Sequence, residues 1–253
     1  MNRSICTRVL ALFIAAAVYP AAQSTAEQTS ATQTAPGRHE LTFKMQVETT
    51  RDRKATDVAN SLTYEFSQSA YSLLAGIKLG AESSDITVAG TWMPLRMRLF
   101  SFGPQIEYNF DLFMNYSMEH NFLFGAKATV GRPDRLLVTA ECSYLLKLTD
   151  FYRLPAIPLL RDDSIATTLS FASILRNRMK IAFKIYSHDT FYYPLFCTPT
   201  YEMQLGWIVT PDFTVESSLM VRYSDMFTLT SYVSNIQGNV AIRYTLPRTG
   251  STK

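Results

Sequence analysis

Residues 102–112 read Phe-Gly-Pro-Gln-Ile-Glu-Tyr-Asn-Phe-Asp-Leu. Apart from Pro104, every even position is large and apolar: Phe102, Ile106, Tyr108, Phe110 and Leu112. Every odd position is small or polar: Gly103, Gln105, Glu107, Asn109 and Asp111. A period of two sends successive side chains to opposite faces of a strand, so the stretch predicts a strand with one apolar and one wet face. Pro104 cannot donate to a ladder, so pairing is expected to begin after it or to be bulged there.

The same alternation runs outward in both directions. Towards the N-terminus it gives Leu41 to Val47, Leu62 to Phe66, Tyr71 to Leu79 and Ile86 to Trp92. The apolar parity changes near Gln68-Ser69, which requires a turn or bulge, because register cannot otherwise slip by one residue. Towards the C-terminus the alternating segments are Phe122 to Val130, Leu136 to Leu148, Ile165 to Leu175, Met179 to Ile185, Tyr201 to Val209, Phe213 to Tyr223 and Ile236 to Leu246. Splitting the segment Leu62–Leu79 at its parity change gives twelve strands, with ten and then eight as the alternatives. Bacterial single-chain barrels have even numbers. Tight turns at Gly131–Arg135, Arg176–Arg178 and Thr210–Asp212 fall on one end, and long connections at 51–60, 150–163, 187–199 and 224–234 on the other. No segment after residue 26 carries a convincing helical period.

Residues 1–26 read as a secretory signal peptide cleaved near Ala26. Arg3 and Arg8 precede the apolar run Val9 to Val18, and Ser24-Thr25-Ala26 are small. That run is too short for a spanning helix of roughly 20 residues. Residues 27–39, rich in Thr, Gln, Ala and Ser, read as a flexible linker, 40–246 as the barrel and 247–253 as a tail. The formal charge of +3 falls to +1 without Arg3 and Arg8. No basic run remains, so nucleic-acid binding is set aside. Of the three cysteines, Cys6 lies in the leader, and Cys142 and Cys197 are expected to be unpaired. No spacing of His or Cys implies a metal or other cofactor.

A soluble barrel with apolar residues inside would share the period. Three features favour lipid outside and a wet lumen. The polar face is dominated by Gly, Ser, Thr, Asn and Gln. Phe151-Tyr152, Phe191-Tyr192-Tyr193, Tyr223, Phe227, Tyr232 and Tyr244 cluster at strand ends, where an aromatic girdle sits. The leader exports the chain. Charged residues are only 18% of the chain, against roughly 25% in an average globular protein.

In these segments, turns and leader the chain resembles bacterial outer-membrane β-barrel proteins. The resemblance covers about residues 40–246 and rests on pattern, since no diagnostic motif narrows it; small monomeric porins and small spirochaetal outer-membrane proteins look similar. It implies an all-β, up-and-down antiparallel transmembrane barrel in the bacterial outer membrane. Its partners would be outer-membrane lipid, the outer-membrane assembly machinery and small solutes. One departure is that such proteins often end on an aromatic residue, whereas here Tyr244-Thr245-Leu246 precede Pro247 to Lys253.

With the apolar set outside, the lumen is expected to receive Lys44, Lys78, Arg98, Lys127, Lys147, Lys180, Lys184, Arg222 and Arg243. It also receives Glu65, Glu107, Asp111, Glu141, Glu202 and Glu216. The balance is slightly basic and predicts a mild preference for anions. These charges either line a water-filled pore or pair and plug a narrow one, according to strand number. No catalytic residues are assigned. Ser187-His188-Asp189 are adjacent, and adjacent strand-like residues point apart, so they make no triad; Glu119-His120 is no better. The expected function is a passive channel for small hydrophilic solutes. The alternative is a closed barrel whose loops after Asp150 and Ser187 serve a structural or adhesive role.

Overall fold

The structure, a computed structural model, describes residues 37–50, 55–68, 70–81, 83–113, 117–132, 134–154, 157–176, 178–190, 198–224 and 232–246. The expected signal peptide, most of the linker, the tail and Cys197 lie outside the described residues.

Wherever the alternation runs, the backbone is a strand. In order these are β1 (Arg38–Thr50), β2 (Ala55–Ser67), β3 (Tyr71–Gly80), β4 (Ser83–Trp92), β5 (Leu95–Arg96), β6 (Phe100–Phe113) and β7 (Ser117–Arg132). Then come β8 (Leu136–Asp150), β9 (Leu160–Leu175), β10 (Met179–Thr190), β11 (Thr200–Thr210), β12 (Phe213–Ser224) and β13 (Tyr232–Thr245). Sequential strands pair antiparallel, β4 pairs with β6, and β1 pairs with β13 from Glu40↔Thr245 to Thr50↔Asn235. The sheet therefore closes on itself and leaves no unpaired edge. β5 has two residues and only extends the edge of β6. The other twelve strands form the wall, as the split at residues 68–70 predicts.

The opening stretch lies in β6, and Pro104 interrupts less than expected. Against β7 the ladder runs unbroken from Phe100↔Val130 to Phe113↔Ser117, with Pro104 opposite Ala126. Against β4 it stops at Thr91↔Gln105, and β5 resumes it at Leu95↔Phe102. Pro104 stands in the gap between the two partners, where an absent N–H costs least. Gly103 beside it allows β4 to leave the sheet: a Cβ there would lie 1.8 Å from the Trp92 carbonyl oxygen.

The strands run further than their apolar runs. Ala55–Asn60, Leu160–Asp163, Ser187–Thr190 and Tyr232–Ser234 were expected in loops but belong to β2, β9, β10 and β13. The charges that made them look loop-like have no dry core to enter. Asp57 and Asp162 share the register parity of the inner face, and Arg161 and Asp163, opposite Leu148 and Leu146, form an ion pair with each other at 3.2 Å. Likewise β1 starts at Arg38, so Arg38 and His39 pair with Ser67 and Phe66 rather than ending a linker.

The burial pattern is inverted relative to a water-soluble domain. Phe43, Leu62, Ile77, Ile106, Leu205 and Ile242 are exposed, Phe43 at 50%. Glu40, Gln46, Glu216, Gln237 and Asn239 are buried. Apolar side chains cover the outside of the ring, and polar ones fill the inside.

Candidate functional site

The inner face holds its charges in two groups. The first lies towards the end where the tight turns are. Glu216 of β12, 3% exposed, accepts hydrogen bonds from Lys180 Nζ at 3.1 Å, Arg243 Nη2 at 3.1 Å and Gln204 Nε2 at 2.8 Å. Arg243 also reaches Glu40 at 3.3 Å, and Arg38 meets Glu40 at 2.7 Å. Lys180 and Glu216 are on β10 and β12, with β11 between them. Gly206 of β11 stands in register with both. A Cβ at Gly206 would lie 3.3 Å from the Lys180 Cβ and 3.3 Å from the Glu216 Cγ, so the bare backbone lets the pair meet over it. The result is a chain of ion pairs from β10 to β1 that crosses the closing seam.

The second group covers β3 to β8. Cross-strand register aligns Lys78, Asp85, Asp111 and Glu119 in one row. Lys78 pairs with Asp85 at 3.3 Å and Lys147 with Glu119 at 2.7 Å. Asp111 accepts from Asn121 Nδ2 at 2.8 Å and Glu107 from Asn109 Nδ2 at 2.7 Å. Nearer the tight turns, Lys127 pairs with Glu141 at 2.8 Å. Despite the row of carboxylates, no group of three or more His, Cys, Asp or Glu among the described residues is arranged to hold a metal ion.

Two cavities open between the groups. One, of about 210 Å³, is lined by Lys44, Glu65, Glu202, Glu216 and Arg243 together with Thr42, Thr63, Gln204 and Asn239. The other, of about 160 Å³, is lined by Glu48, Lys78, Tyr186, Met220, Arg222 and Gln237. Lys184 stands opposite Glu202 in register and lies 4.9 Å from the Tyr186 ring centroid. Arg222 Nε donates to Thr200 Oγ1 at 3.3 Å.

Lys44, Lys78, Glu107, Asp111, Lys127, Glu141, Lys147, Lys180, Lys184, Glu202, Glu216, Arg222 and Arg243 thus have the inner parity. Arg98 does not, because it lies in the link between β5 and β6. The pairing also brings to this face six carboxylates that the apolar runs did not bracket: Glu40, Glu48, Asp57, Asp85, Glu119 and Asp162. On the basic side Arg38 and Arg96 are added, Arg96 standing opposite the inner-parity Ser101. Among the described residues the expected slight basic excess becomes an acidic one. The signal was in the sequence: each of these acids continues the polar parity of its strand past the last apolar residue.

Of the two constellations weighed for catalysis, Glu119-His120 does not assemble. Glu119 faces Lys147 inside, whereas His120 Nδ1 lies 2.9 Å from Tyr108 Oη on the outer face. The side chains of His188 and Asp189 lie outside the described residues. Cys142 is a free, exposed thiol whose alternation puts it on the outer face.

No protein-family model matches the chain, and no curated protein matches it. Solved structures do. The NanC porin superposes with a TM-score of 0.60 at 12% identity, over 81% of this chain and 100% of that one. The KdgM porin gives 0.54 at 12% identity, over 81% and 99%. An outer-membrane channel from Pseudomonas putida F1 gives 0.54 at 11% identity, over 87% and 100%. At such identities the likeness is one of fold.

Proposed function

We propose that the chain spans the bacterial outer membrane as a passive channel for small hydrophilic solutes, with a mild preference for cations. The observation that carries this is the closed ring of inverted polarity. Its apolar outside suits hydrocarbon, its ladder satisfies every wall strand without water, and its charged inside encloses hydrated space. Similar folds named as porins and as an outer-membrane channel support the same reading. The preference for cations follows from the six added carboxylates, since fixed charge of one sign raises the local concentration of the other.

Planar-bilayer recording of refolded protein tests the channel. Discrete conductance steps are expected, with a reversal potential in a KCl gradient of the sign for cation preference. Absence of steps ends the channel reading. A second reading, a closed barrel with a structural or adhesive role, draws on the ion pairs that tie the inner wall together. Membrane residence has its own check: detergent-refolded protein should change mobility on a gel when heated, and solubility without detergent would contradict it.

A further inference from the structure

The tight-turn end of the barrel carries an arc of arginine. Arg98 lies beside β5, Arg132 and Arg135 flank the β7–β8 turn, and Arg176 and Arg178 lie at the β9–β10 turn. All five are exposed. The three sites follow one another along the rim: Gly131 N–H donates to the Leu99 carbonyl at 2.8 Å and Ser173 Oγ of β9 to the Arg135 carbonyl, while Ile208 N–H of β11 donates to the Arg178 carbonyl at 2.7 Å. One acid, Asp134, sits within the arc and is engaged by Arg132 at 3.0 Å. Arg176 also holds a left-handed backbone at φ 49, where glycine would be unstrained.

Beside this arc lie both tryptophans of the chain. Trp92 ends β4 and Trp207 nears the end of β11, each on the outer face and more than half exposed. Tryptophan at the end of an apolar band marks the level of the lipid headgroups. The guanidinium groups therefore stand at or just beyond that level, and their bidentate fork matches phosphate oxygens.

We infer that the rim from β5 to β10 docks the headgroups of anionic phospholipids in the leaflet on the tight-turn side. This rests on the membrane-spanning reading. Phosphodiester headgroups supply the charge, acyl chains pack against Trp92, Leu95 and Leu99, and the arc fixes which way the barrel sits across the two leaflets. The occupant is a lipid rather than a free anion because the charges border an exposed apolar wall and not a closed pocket.

The test uses the full chain refolded into vesicles of phosphatidylcholine alone or with a fifth of phosphatidylglycerol, read by tryptophan fluorescence and by flotation. Wild type should float with both and show a salt-sensitive spectral shift that depends on phosphatidylglycerol. The variant R98Q/R135Q/R176Q/R178Q should need roughly tenfold more phosphatidylglycerol or above for the same shift, while R161Q, at the opposite rim, should behave as wild type. An equal response to both lipids, or an unchanged response in the quadruple variant, overturns the proposal. Saturation of the shift by inorganic phosphate at equal affinity also overturns it, in favour of a free-anion site. If the quadruple variant fails to fold, Arg176→Gly, which relieves the backbone, should still weaken the response; no weakening would count against the arc. Failure of wild type to float with phosphatidylcholine alone would instead reject the membrane reading.

Discussion

Glu216 is the residue on which the inner wall converges. It is buried, it takes three donors from three strands, and two of those donors are charged. Removing its charge while keeping its shape would leave Lys180 and Arg243 without their shared partner. Glu216→Gln is expected to lower unfolding stability by roughly 2–4 kcal/mol, because a broken buried pair leaves uncompensated charge. The check is the urea midpoint of detergent-refolded protein. Gly206→Val, which crowds the Lys180–Glu216 contact without removing a charge, should cost less. Were the two variants equal, crowding rather than charge would govern this region. Lys127→Gln should be nearly silent, within about 1 kcal/mol, because Lys127 and Glu141 are both partly hydrated.

At the scale of the strand, β6 shows how depth enters. Ile106 lies near the middle of β6, opposite Gly90 and Phe124, whereas Phe110 is close to the long-loop end and packs against His120. Alternation alone makes the two outward positions equivalent. Their depths differ, and the cost of a lipid-facing arginine runs from about 2–4 kcal/mol at the midplane to about 0–1 near the interface. Ile106→Arg is therefore expected to abolish the heat-dependent gel shift, and Phe110→Arg only to reduce the folded fraction. The reverse ranking would misplace the midplane. The same strand shows why Pro104 was only half legible. A proline announces a missing donor, but which neighbour lacks the acceptor depends on where β4 leaves the wall.

For the whole molecule, the proposed channel makes selectivity the quantity to measure. Asp85, Asp111 and Glu119 come from three adjacent strands and align in one row, with Lys78 and Lys147 at its edges. The variant D85N/D111N/E119Q removes that row and leaves both lysines uncompensated. Its reversal potential in a KCl gradient is expected to move towards anion preference with single-channel steps retained. A reversal potential that does not move would assign selectivity to the other wall.

Which residues face out, how many strands form the wall and which end carries the tight turns are legible in the chain's own pattern. Those properties follow from local stereochemistry: a period of two, a parity change at 68–70, and turn residues between apolar runs. Strand ends were less legible, because polar residues past the apolar band look the same in a strand as in a loop. Which charges meet became visible once the strands were paired. Glu216 finds Lys180 because Gly206 leaves room across β11, and Arg243 finds Glu40 because β13 closes on β1. Pairing also decided the sign of the inner face and gathered the arginines of separate turns into one arc. These depend on register between strands remote in the chain, and no local pattern encodes register across a closing barrel.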